Sequence, residues 1–184
     1  MYAPAPQQYQ PAETPQVQAV PQPQEKPKAP AKSKGSNDVG AFIQQCISLC
    51  SYLKELETQA HLCHLNYEGG NFLGVHAFLK EQYEAHLAQF DALGEFIRSM
   101  DFYTPMCSKG LADAGPGIQH VTSYKGTDML GVYYKNLEEL GMKAKKLEPI
   151  ASKVGAIDIQ NFLADLTGQA FKAAWQIKAT LRNN

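Results

Sequence analysis

Four stretches of this chain repeat apolar residues at steps of three and four, and that spacing leaves little choice of architecture. The first runs Val39, Phe42, Cys46, Leu49, Leu53, Leu56, Ala60 and Cys63, and the second Phe72, Val75, Leu79, Tyr83, His86, Phe90, Leu93 and Ile97. The third runs Leu130, Tyr133, Leu137, Leu140, Ala144, Leu147, Ala151 and Val154, and the fourth Ile159, Phe162, Leu166, Ala170, Ala173, Ile177 and Leu181. A helix turns about 100° per residue, so each run lines one face with apolar groups and leaves the rest polar. No run of about eighteen apolar residues occurs, so no transmembrane helix is expected. Four one-sided helices bury their stripes only against one another, which predicts an all-α four-helix bundle.

The breaks between stripes set the topology. Glu68-Gly69-Gly70-Asn71 interrupts the first pair, and Gly155 separates the last pair. Between helices two and three lies an irregular stretch, roughly 101–127, with Pro105, Pro116 and four glycines. The expected helices are 38–66, 71–100, 127–153 and 157–182, with a short helix near 106–112, and Asn37 or Asp38 as the first N-cap. Pro149 lies inside the third stripe and predicts a kink or a stop there. Short links make antiparallel neighbours. The long middle link can cross the bundle's length and let helices two and three run parallel.

Residues 1–36 have a different character. They hold eight of the eleven prolines and seven glutamines, with only Tyr2, Tyr9, Val17 and Val20 as large apolar groups. Such a segment cannot bury enough apolar surface to offset its ordering entropy, so a disordered, partly polyproline-like tail is expected, followed by one bundle domain over 37–184. Lys26, Lys28, Lys32 and Lys34 against Glu13 and Glu25 give the tail a charge of +2, which leaves −3 for the rest of a chain whose net charge is −1. The whole molecule is no polycation, so its overall charge indicates neither nucleic acid nor an anionic membrane. The N-terminus lacks the apolar run of a secretory signal, and a cytoplasmic protein is the expectation. None of Cys46, Cys50, Cys63 and Cys107 makes a Cys-x-x-Cys pair. They read as reduced, mostly buried thiols. The alternative is a soft-metal cluster of Cys63 with His61 and His64.

Helix two carries a second face beside its apolar stripe. His76, Lys80, Glu84, Leu87, Asp91 and Glu95 fall within about a third of its circumference. Asp91 and Glu95 are one turn apart and can address one ion, and a hard cation such as iron accepts carboxylate oxygen and imidazole nitrogen together. The alternative is a solvated charged face. His64, which ends helix one, and His76 bracket the tight connector. His61, His86 and His120 read as surface or satisfied core groups.

At these residues the chain resembles the Dps family, the miniferritins of the ferritin-like superfamily. His64, Asn66, Gly69, Phe72 and His76, with Asp91 and Glu95 further along helix two, match that family's signature, and Trp175 resembles its fourth-helix aromatic. The resemblance covers about 38–184. It implies a ferritin-like bundle with a long crossover, assembled as a cage of twelve subunits that stores iron and guards against oxidative damage. It implies an iron site between subunits, with His64 and His76 from one chain and Asp91 and Glu95 from its partner. The single-subunit ferritin site needs Glu-x-x-His motifs, and this chain has none. Iron(II) would be oxidised there by peroxide or dioxygen, with His64, Asp91 and Glu95 as the catalytic set. The chain departs from the family at Lys80, where an Asp is usual, and at Leu65, where a Trp is usual. An ammonium cannot ligate iron, so the second iron position, at His76, is the weaker, and a salt bridge from Lys80 to Asp91 or Glu95 would keep the cage and abolish the chemistry. The rival expectation is accordingly a weakly active cage that binds DNA or serves structure. Lys26, Lys28, Lys32 and Lys34 resemble the lysines by which some Dps tails hold DNA.

Overall fold

The computed structural model describes residues 34–182. In chain order these form α1 (Lys34–Asn66), α2 (Phe72–Ser99), the short α3 (Ser108–Ala112), α4 (Gly126–Lys153) and α5 (Ile157–Leu181), with no strand among the described residues. The expected tail lies outside the described residues except for its last three positions, where α1 already begins. Asn37 and Asp38 are therefore inside α1 rather than capping it.

The stripes are the core. Phe42, Cys46, Leu49, Leu53, Leu56, Ala60 and Cys63 of α1 pack with Val75, Leu79, Leu93 and Ile97 of α2, and with the matching faces of α4 and α5. Burying each of these large aliphatic side chains contributes about 1.5–3 kcal/mol, which is why the stripe and not local propensity sets each helix's orientation.

Contacts between helices give their directions. Tyr67, just past the end of α1, packs against Gly126 at the start of α4, and Tyr52 further back on α1 donates to the carbonyl of Asn136, later on α4. Thus α1 and α4 run antiparallel. Asn71 and Gly74 at the start of α2 lie beside Leu130 near the start of α4 and Thr180 near the end of α5. Thus α2 and α4 run parallel, as a crossover spanning the bundle requires. Gly126 is obligatory here: a Cβ would sit 2.7 Å from the Tyr67 ring and 2.8 Å from the Glu68 carbonyl oxygen.

A buried polar clamp holds the crossover on the bundle. The Asn136 amide donates to Gln59 Oε1 and to the Gln119 carbonyl, both at 2.8 Å, and Asn136 Oδ1 accepts from the Gln119 N–H at 3.0 Å. Gln59 Nε2 donates back to the Gln119 carbonyl at 2.7 Å. Every polar atom of this knot has a partner, so it specifies one seat for the crossover without leaving a buried group unpaired.

The helix ends follow their local chemistry. Gly155 has φ +78°, and the Ala156 N–H reaches the Ala151 carbonyl while the Gly155 N–H reaches that of Ser152, a Schellman stop. Asp101 takes the equivalent left-handed position after α2, at φ 63°. The stop allowed for at Pro149 does not occur, since α4 continues to Lys153. Pro149 and Lys145 are both exposed, so the carbonyl four residues back that loses its N–H partner faces water.

Candidate metal centre

His64 closes the last turn of α1 and His76 stands in the second turn of α2. The connector between them folds α2 back along α1. The Tyr67 hydroxyl donates to the Gly70 carbonyl at 3.0 Å, Gly69 has φ +137°, and Asn71 takes the left-handed conformation at φ 56°. This tight return brings the two histidines face to face, with ring centroids 3.7 Å apart and planes inclined by 19°.

Their hydrogen bonds are reciprocal. His64 Nδ1 lies 2.8 Å from the His76 carbonyl oxygen, and His76 Nδ1 lies 3.0 Å from that of His64. A carbonyl only accepts, so each Nδ1 carries a proton and Nε2 is the nitrogen left to ligate. Neither Nε2 has a protein partner among the described residues. Two imidazoles are thus locked in the tautomer and orientation that metal ligation requires. Phe72 stacks on His76 at 5.0 Å, and Tyr83 meets His64 edge-on at 5.5 Å.

Asp91 and Glu95 lie elsewhere on the same chain. Both are exposed on α2, and among the described residues neither has an ion pair or a hydrogen bond. At 1.5 Å per residue they stand about 22 and 28 Å from His76 along the helix axis. No three His, Cys, Asp or Glu side chains among the described residues cluster so as to hold a metal ion. Lys80 does not bridge to Asp91 or Glu95, the pairing that would have blocked the site. It pairs with Glu84, one turn on, with both side chains 53% exposed. The hydrogen bond to Glu84 and its charge raise the Lys80 pKa, so the ammonium stays protonated and cannot ligate.

The thiol alternative fails on direction. Cys63 is buried in the bundle core, whereas exposed His61 stacks on Tyr83 at 4.2 Å. Burial pushes the Cys63 pKa up to about 11 and those of Cys46 and Cys50 to about 12, so all three remain thiols at neutral pH. All four cysteines are free, and only Cys107 is exposed.

Tyr83 packs against the core as its stripe predicts and also meets His64, a second contact that periodicity does not mark. Phe72, which belongs to the signature of the resemblance, stacks on His76 and is 41% exposed rather than buried in its stripe. His86 proves to be a satisfied core histidine, while His120 is exposed. Trp175 is 64% exposed on α5. Lys34 stands at the first position of α1, whereas Lys26, Lys28 and Lys32 lie outside the described residues.

A four-helix bundle with this long crossover has the ferritin-like architecture. The ferritin-like domain model matches residues 53–184, and the chain belongs to that family. Among solved structures it is similar to Dps from Thermosynechococcus elongatus, with a TM-score of 0.77 and 16% identity over 81% of this chain and 95% of that one. It is also similar to a Vibrio cholerae Dps protein described as a member of the ferritin-like diiron-carboxylate superfamily, with a TM-score of 0.75 and 18% identity over 84% and 99% of the two chains. A third is a dodecameric thioferritin from Bacteroides fragilis, with a TM-score of 0.73 and 12% identity over 79% and 86%. No curated protein matches the sequence. Among the described residues no helix is long and apolar enough to cross a membrane.

Proposed function

We propose that this chain is a Dps-like miniferritin that binds iron(II) at sites shared between subunits, oxidises it with peroxide or dioxygen, and stores the ferric product inside a cage. The observation that carries this reading is the reciprocal His64–His76 lock, in which each Nδ1 is held by the other residue's carbonyl and neither Nε2 has a protein partner among the described residues. Iron is the substrate. His64 and His76 supply neutral nitrogen donors, and Asp91 and Glu95 of a partner subunit supply two anionic oxygens that neutralise the incoming cation and favour the ferric state. The carboxylates and histidines of one chain are too far apart to share an ion, and a twofold-related copy reverses the direction of α2 and can bring the two sets together. Leu62, Leu65 and Leu87, exposed at 55%, 65% and 49% beside these residues, are apolar groups that such a partner would cover. The dodecameric Bacteroides fragilis relative makes a twelve-subunit cage the reference assembly.

A second reading is favoured by Lys80. A protonated amine one turn beyond His76 opposes a second cation, and a weakly active cage acting mainly as a DNA-binding or structural protein follows. The lysine-bearing tail would then be its principal functional element. Anaerobic titration with iron(II), followed by peroxide under spectroscopic observation, separates the two. Saturable binding and a rapid ferric absorbance support the ferroxidase. Absence of both in an assembled cage refutes it.

A further inference from the structure

The bundle core holds a polar chain that iron binding leaves without a task. His86 is 2% exposed and Tyr133 fully buried, and His86 Nε2 lies 2.8 Å from the Tyr133 hydroxyl. His86 Nδ1 lies 2.9 Å from Gln89 Oε1, and Gln89 Nε2 donates to Gln169 Oε1 at 2.8 Å. The directions in this chain are determined. The Gln89 amide nitrogen is committed to Gln169, so its oxygen faces His86, and Nδ1 carries the imidazole proton. Nε2 is therefore a lone pair, and it accepts the Tyr133 O–H.

That arrangement is a phenol hydrogen-bonded to a vacant base in a dry interior. Burial holds the His86 pKa down, to about 4, so the imidazole is neutral at physiological pH. Burial also drives the Tyr133 pKa well up, so simple ionisation is closed to it. Losing an electron alone would create an uncompensated cation in low dielectric. Losing an electron and a proton together leaves Tyr133 neutral and places the one new charge on an imidazolium. Both of that imidazolium's N–H groups already have acceptors, and the Glu57 carboxylate favours its protonation.

We infer that Tyr133 and His86 form a proton-coupled one-electron donor that intercepts strong one-electron oxidants, of which hydroxyl radical is the type. The oxidant takes one electron from the phenol and, if hydroxyl radical, becomes hydroxide. The Tyr133 O–H bond breaks, and its proton bonds to His86 Nε2. The products are a neutral phenoxyl radical and an imidazolium. The core chain is linked to the histidine pair along α2: Tyr83 meets His64 with ring centroids 5.5 Å apart and stands three residues before His86. An oxidant generated near the histidine pair can thus draw its electron from the core. Tyr83 is nearer that pair, but its hydroxyl has no hydrogen-bonded base among the described residues.

The test uses the full chain and an iron-free oxidant, photogenerated tris(bipyridine)ruthenium(III), with phenoxyl absorption and EPR as readouts. The wild type is expected to form a long-lived phenoxyl radical that Tyr133→Phe lacks and Tyr83→Phe retains. His86→Gln keeps a hydrogen-bond acceptor for the phenol but offers no base, and radical formation is expected to slow about a hundredfold, the low end for removal of a positioned base. Deuterated solvent is expected to slow the wild type alone. A long-lived radical persisting in Tyr133→Phe, or an unchanged rate in His86→Gln, overturns the inference. Should His86→Gln fail to fold, Tyr133→Phe and the solvent isotope effect still decide. Because this oxidant contains no iron, failure of iron oxidation leaves the result standing, and failure here leaves the ferroxidase reading standing.

Discussion

Replacing His86 by Phe should flatten the acid sensitivity of folding. An unfolded histidine takes up a proton near its ordinary value of 6.5, whereas in the folded chain burial delays protonation until about pH 4. Between those values the unfolded chain binds more protons, so acid favours unfolding. The contribution is therefore fully present above about pH 6.5 and is lost as pH falls toward about 4. At 1.36 kcal/mol per unit the whole loss is about 3 kcal/mol, of which about 2 kcal/mol has gone by about pH 5. For a chain of this size that is roughly a 4–8 °C fall in melting temperature. The variant itself begins weaker, because the Tyr133 hydroxyl loses its acceptor in the core, at a cost of about 1–3 kcal/mol at every pH. The informative quantity is thus the difference in slope, not the absolute stability. Denaturant unfolding of both proteins, at one protomer concentration because assembly stabilises by mass action, should be compared between about pH 7.5 and about pH 5. The remaining four histidines are common to both proteins and cancel in the comparison. Equal losses in wild type and variant over that range would refute the reasoning.

Further outcomes follow from the site and the clamp. A mixture of His64→Ala and Asp91→Ala chains, reassembled together, should regain oxidation that neither has alone, because each mixed pair contains one intact inter-subunit site; no recovery in mixed cages would end the shared-site reading. Lys80→Asp should speed oxidation and raise iron bound per site, since it removes a cation and adds an oxygen ligand, while the wild type should hold fewer than two irons tightly; slower oxidation by the variant would show that Lys80 is no obstacle. Asn136→Ala should destabilise by about 2–5 kcal/mol, because it strands the Gln59 Oε1 and the Gln119 N–H together, and calorimetry showing less than about 0.5 kcal/mol would mean the crossover is held elsewhere. Deleting residues 1–36 should leave iron oxidation intact and remove any salt-sensitive DNA gel shift, since tail lysines would act by neutralising phosphates; a truncated protein that shifts DNA as well as the full chain would exclude the tail.

Periodicity was enough to lay out the helices. All four long elements lie where the stripes lie, within a residue or two except at the start of α1, because burial of a one-sided apolar face is the dominant local term and is written at steps of three and four. Gly155 as a stop was equally legible, since only a residue tolerant of positive φ ends a helix that way. The candidate ligands His64, His76, Asp91 and Glu95 came from spacing and from resemblance, and spacing alone could not tell a metal face from a solvated one. What the fold decided is how the two histidines meet. The ring-on-ring lock of His64 and His76 depends on two carbonyls that carry no residue-specific mark in the sequence. Lys80 chose Glu84 over Asp91 because about one helical turn separates the first pair and about three the second. Apart from the local His86–Gln89 link, the Gln59–Asn136–Gln119 knot and the Tyr133–His86–Gln89–Gln169 chain join residues 17 to 80 positions apart. Periodicity marks which face of a helix is buried, but a hydrogen bond between two buried polar groups depends on the relative rotation and height of two helices, and that is set only when the whole core packs.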